Sequence, residues 1–89
     1  MKASVESDAF AGAVRVVVEE FALWWSTRGQ VDAVCSTRVW PGMGEAASGK
    51  RILLHRAALC GLVRMDRDEH GRTVYAPIGE VQGEVQGND

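Results

Sequence analysis

Few residues in this chain could do chemistry. They are Cys35, Cys60, His55 and His70, a glycine-bearing run that ends in Lys50, and a set of arginines. Two cysteines and two histidines would suffice for zinc by count. Zinc sites draw their ligands as close pairs, however, and no Cys-x-x-Cys or His-x-x-x-His spacing is present. Both cysteines lie in apolar stretches and read as small buried hydrophobes in a reducing compartment. The run from Gly42 to Gly49 and Lys50 ends as a phosphate loop does. It lacks the loop's start and leading strand, and Arg51 stands where a Ser or Thr would hold magnesium. Neither histidine has a serine or cysteine nucleophile in a recognisable elbow. The expectation is no enzyme, no cofactor and no metal.

The arginines remain. Net charge is −2, a poor sum for a binder of nucleic acid, but the distribution is uneven. Residues 38–75 hold seven basic side chains against four acidic ones, and the rest of the chain holds three against eight. The excess of positive charge is therefore confined to one segment.

The elements that must position these groups follow from periodicity. The 89 residues make one domain with a small core, which oligomerisation would help. Residues 8–28 read as a long helix, with Ser7 as N-cap and Gly29 as stop. Phe10, Val14, Val17, Phe21 and Trp24 form one apolar stripe, and Ala11, Val18, Ala22 and Trp25 form a second. Arg15, Glu19, Glu20 and Thr27 are left for solvent. Such a helix is either threaded through the core or shared between the core and a second protomer. In the second case Val18, Trp24 and Trp25 are the interface candidates. Gln30 to Val39 reads as a shorter helix, ended by Pro41, which pushes Trp40 out of helical geometry. Trp40 is a core plug under the turn or, less simply, a base-stacking platform. A third helix runs to Cys60. Ala46, Ala47, Leu53, Leu54, Ala57 and Ala58 lie on its apolar side. A start at Glu45 would turn Lys50 into that side, a conflict that points to Ser48 as N-cap.

Gly61 then suits a left-handed helix stop, and Leu62 packs back on the last turn. Val63 and Met65 alternate with Arg64 and Asp66 as on a half-buried strand. Asp68 to Gly71 is turn chemistry, and Thr73, Val74 and Tyr75 favour a returning strand. Beyond residue 78 the tetrapeptide Glu-Val-Gln-Gly occurs twice in tandem, so 79–89 reads as a flexible acidic tail after a domain spanning 1–78. No apolar run is long enough for a membrane span and no secretory signal opens the chain, so a cytoplasmic protein is expected.

A capped helix with inward leucines, a Gly61-Leu62-Val63-Arg64 step and a hairpin closing in Gly71-Arg72 and Val74-Tyr75 resembles the winged helix-turn-helix superfamily. Within it, the ArsR-like and MarR-like regulators are similar over residues of about 30–78. The resemblance implies an α+β fold of three helices and a C-terminal hairpin wing, with the helix-turn-helix in 30–60 and the wing in 62–77. It departs from those families in having no Cys-x-Cys metal-sensing motif and no C-terminal dimerising helix, and in its Trp-Pro-Gly break.

What the resemblance implies about function is DNA reading by the third helix in a major groove. Ser48, Lys50, Arg51 and His55 would be its outward residues. Arg51 would donate two hydrogen bonds to a guanine, while Lys50 and Arg56 would suit phosphates. Arg67 and Arg72 would flank the wing tip, where Asp68 and Glu69 oppose phosphate contact and would pair with those arginines instead. The expected protein is a dimeric transcriptional regulator of double-stranded DNA. The alternative is a winged module that binds a protein, as an inhibitor, antirepressor or assembly factor, without touching nucleic acid.

Overall fold

The computed structural model describes residues 2–78, with side chains from Ala9 onward. The element order is α1 (Lys2–Arg28), α2 (Ser36–Val39), α3 (Glu45–Leu59), β1 (Val63–Arg67) and β2 (Thr73–Pro77). The fold is α+β: three helices followed by a two-stranded antiparallel hairpin. None of these helices is long and apolar enough to cross a membrane. The tail expected at 79–89 lies outside the described residues.

Helix α1 begins at Lys2, so Ser7 lies inside it and does not cap it. Its end is as expected. Gly29 takes φ 61°, and the N–H groups of Gly29 and Gln30 donate to the carbonyls of Ser26 and Trp25. This satisfies two carbonyls that a helix end leaves orphaned. Gly61 closes α3 the same way at φ 82°, with Gly61 and Leu62 donating to Ala58 and Ala57.

The segment read as a helix over 30–39 is mostly extended. Only Ser36–Val39 is helical. Val34 instead forms an antiparallel bridge to Tyr75, on the edge of β2 that β1 leaves free. Its N–H donates to the Tyr75 carbonyl at 3.0 Å, and the Tyr75 N–H donates back at 2.8 Å. Tyr75 is buried, so its backbone groups need partners, and a helix over 30–35 would have left them bare. Val31, an apolar residue of that segment, is 81% exposed.

Helix α3 starts at Glu45, not Ser48. Gly44 is the N-cap residue, and the Ser48 N–H donates to its carbonyl at 3.0 Å, the first intrahelical bond. The conflict over Lys50 is resolved by tertiary contact: its ammonium turns inward and meets Glu20 of α1 at 3.0 Å.

One apolar core joins all the elements. Val14, Val17, Phe21 and Trp25 of α1 face Leu54 and Ala57 of α3, with Val63, Tyr75 and Ala76 of the hairpin beneath. Phe21 packs edge-on to Trp25 and tilted against Trp40, which is buried as the plug under the turn. Trp25 is thus used within the protomer's own core, which corrects its assignment to a dimer interface. Val18 and Trp24 are half-buried, and Arg28 lies 4.8 Å from the centre of the Trp24 ring. The cysteines are not buried as expected: Cys35 is half-exposed and Cys60 exposed, and both are free thiols.

Candidate nucleic-acid interface

Helix α3 buries Leu54 and Ala57 and half-buries Ala47, Leu53 and Ala58. The arc left for solvent carries Glu45, Ile52, His55, Arg56 and Leu59, with Ser48 half-buried at its edge. Four turns of helix thus offer one exposed arginine, one exposed histidine, and two bare aliphatic side chains, Ile52 at 60% and Leu59 at 62% exposure.

The two bases expected to lead recognition are engaged elsewhere. Lys50 forms its ion pair with Glu20, whose carboxylate also accepts a 2.9 Å bond from the Trp40 indole N–H. The indole donor, then the lysine, hold the Glu20 carboxyl below its ordinary pKa. The sequence reading left Glu20 in solvent, and no local signal marks it: its two partners are 20 and 30 residues away. Arg51 is half-buried, and its guanidinium donates to the Trp40 carbonyl. Together these contacts clamp the turn between α2 and α3 onto α1.

His55 and Arg56 lie further along. His55 Nδ1 is 2.9 Å from the Tyr75 hydroxyl, and the rings meet edge to face. Burial raises the Tyr75 pKa, with Cys35 adding to the shift, so the phenol stays protonated and can donate to the imidazole. The contact locks α3 to the hairpin. Arg56 is exposed and, among the described residues, has no salt bridge.

The hairpin pairs Val63 with Pro77 through to Arg67 with Thr73. Asp68 organises its tip. One carboxylate oxygen accepts from the backbone N–H groups of His70 and Arg72 at 2.9 and 2.8 Å, and the other from Arg72 Nε at 3.2 Å. The Arg72 backbone bond is the main cause of the lowered Asp68 pKa. Gly71 supplies the φ of 79° that the turn needs. Arg67 donates to the Gly71 carbonyl at 2.9 Å. Asp68 therefore pairs with Arg72 as expected, whereas Glu69 lies nearest His70, at 3.5 Å. Both arginines remain exposed at the tip.

The structure thus brings His55 beside Met65, Asp66, Arg67 and Thr73 in one shallow depression between α3 and the hairpin. A second depression, between the α2 end and the tip, is lined by Arg38, Asp68 and Arg72. Exposed Arg38 and Arg64 were not singled out from the sequence, because neither lies on the third helix or at the wing tip. Among the described residues no group of three possible metal ligands comes together. The chain matches no protein-family model, no curated protein and no solved structure.

Proposed function

We propose that this protein is a winged helix-turn-helix protein that binds double-stranded DNA through the outer arc of α3 and the tip of the β1–β2 hairpin, as a transcriptional regulator would. The observation that carries the reading is the shared exposure of Arg56, Arg67 and Arg72 on the helix and hairpin that the His55–Tyr75 contact holds together. The Val34 bridge supports it too, since its two backbone hydrogen bonds fasten the segment before α2 to the hairpin. In this reading Arg56 contacts phosphate or a base edge, Ser48 and His55 offer hydrogen bonds at its flank, and the tip arginines reach neighbouring phosphates. Lys50 and Arg51 hold the reading helix in place and do not themselves read.

The test is fluorescence anisotropy of a mixed-sequence duplex across a salt series. Binding that weakens steeply with salt is expected, and Arg56→Ala and Arg67→Ala should each reduce the log–log slope by about one. No binding at low salt would refute the reading.

A protein-binding module is the second reading, and a specific observation favours it. Ile52 and Leu59 are exposed on the same arc that carries Arg56. Aliphatic side chains flanked by an arginine suit a protein partner better than a phosphate backbone. Duplex binding unaffected by Ile52→Asp, or lost with it, separates a bystander from a contact on that arc.

A further inference from the structure

One side of α1 carries an apolar groove that the protein's core does not use. Ala11, Arg15, Val18 and Ala22 recur at spacings of four, three and four residues, so they share one face of the helix. Two depressions lie end to end along that face. The first has Val18, Ala22 and Leu23 on one wall and Leu62, Pro77 and Ile78 on the other. The second runs on past Val14, Arg15 and Phe10, with Cys60 opposite. Val18 and Leu62 line both, so the two depressions are one groove, and Leu62, 51% exposed, stands between them. From Phe10 to Ser26 the groove follows α1 for roughly 24 Å at 1.5 Å per residue. Nothing among the described residues fills it. Its charges are Arg15 in the second depression and Glu19 in the first, neither in an ion pair among the described residues.

We infer that this groove takes the chain's own residues 80–85, from the tandem Glu-Val-Gln-Gly repeat. The described residues end at Ile78, itself part of the groove wall beside Leu23 and Ser26, so a segment that follows the groove from there runs toward Phe10. In an extended segment side chains alternate, which puts Val81, Gly83 and Val85 on one side and Glu80, Gln82 and Glu84 on the other. The two valines stand about 13 Å apart at 3.3 Å per residue. The depressions are centred on α1 near residues 14 and 22, about 12 Å apart at 1.5 Å per residue. Val81 therefore fills the first depression and Val85 the second. Gly83 falls between them, over Leu62, and has no side chain to meet it. Glu84 comes to the rim near Arg15, the groove's one cation. Reach is sufficient, since the seven residues from Ile78 to Val85 extend about 23 Å at 3.3 Å per residue. The repeat alone has too little apolar surface to order itself, and the groove supplies what it lacks. The inference rests on the groove and the repeat, and stands whether or not α3 reads DNA.

Cysteine alkylation of the full chain tests it. Cys60 lines the second depression and is exposed among the described residues, whereas Cys35 lies in the depression beside the hairpin tip and serves as the control. Iodoacetamide labelling is read at each cysteine by peptide mass mapping. The variant carrying both Val81→Asn and Val85→Asn should label at Cys60 roughly fivefold faster or more, as a thiol does when its cover is removed, with Cys35 unchanged. Reagent and substitutions are neutral, so the thiol's own acidity is left alone. Gly83→Leu should also speed labelling at Cys60, although it makes the segment more apolar, because its side chain meets Leu62. Circular dichroism should show both variants folded, since the substituted positions lie outside the described elements. A Cys60 rate unchanged in the valine variant overturns the proposal, and so does an equal gain at both cysteines. Gly83→Leu labelling no faster than wild type overturns it as well. Protection of Cys60 that grows with protein concentration between about 1 and 100 µM also overturns it, because the occupant would then belong to another copy.

Discussion

Lys50 and Arg51 precede Arg56 on α3 by about one and a half turns, and their charges have opposite fates. The first two face an acid and a carbonyl: Glu20 takes the ammonium and the Trp40 carbonyl takes the guanidinium. Arg56 faces solvent with no ionic partner among the described residues. One end of the helix uses its cations to build the fold, and the other end has one to spend on a ligand. Basic residues on a helix of this kind therefore cannot be ranked as readers by their distance from its N-terminus. What ranks them is whether another element brings an acceptor within reach.

Substitutions at four positions break or sharpen that contrast. Trp40→Ala should act most strongly, because it empties a buried site beside Phe21 and leaves Glu20 without its indole donor. A loss of about 3–5 kcal/mol is expected in urea unfolding. Trp40→Phe should cost only about 1–2 kcal/mol, the share of the lost hydrogen bond to a charged acceptor. Arg51→Ala comes next, at about 1–2 kcal/mol, since it strips the donor from the Trp40 carbonyl. Stability unchanged in Arg51→Ala, with duplex affinity lost, would overturn the division between the two turns.

The third position, Glu20, is probed by pH. Its folded-state pKa is depressed below the ordinary 4.5 by the Trp40 indole and then Lys50. Its contribution is therefore complete above pH 4.5 and is lost as pH falls through the lower folded value. Both side chains of the pair are 39% exposed, so screening keeps that contribution to about 1 kcal/mol or less. Unfolding of Glu20→Gln should accordingly vary less with pH across this window than that of the wild type. An identical acid dependence would show that Glu20 is not held by these partners. Arg56→Ala should have the smallest effect on stability, within about 0.5 kcal/mol, while lowering the salt slope of duplex binding by about one. A clear loss of stability there would move Arg56 to the structural side of the comparison.

Much of the fold is legible in local chemistry. Gly29 and Gly61 stop their helices because a left-handed residue is needed there and glycine adopts it without strain. The hairpin follows from alternation on either side of Asp68 and Gly71, whose side chain and φ make the turn. Of the expected stripe, Val14, Val17 and Phe21 are buried, whereas Phe10 is 45% exposed, Trp24 is half-buried and Trp25 of the second stripe is buried instead. The candidate site was less legible. Ser48, His55 and Arg56 are on or beside the outer arc as expected, yet Lys50 and Arg51 are not free, and Ile52 and Leu59 are bare where polar residues would serve a groove.

The sequence by itself determined where α1 and α3 end, where the hairpin turns and that α1 is apolar over most of its surface. Each of these depends on residues within a turn or two of one another, and their sterics and hydrogen bonds act without the rest of the chain. Only the tertiary structure decided that residues 30–35 are extended, that α3 starts at Glu45 and that Trp25 lies in the core while Leu23 lies outside. Those outcomes depend on distant partners. The free edge of β2 draws Val34 out of a helix, and Glu20 makes an inward Lys50 tolerable. Trp25 is covered because Phe21 and the core residues around it fill one side of α1 and leave the other bare. A charge or an unpaired backbone group is resolved by whatever the fold brings within about 3 Å of it, and that neighbour is not written at the position itself.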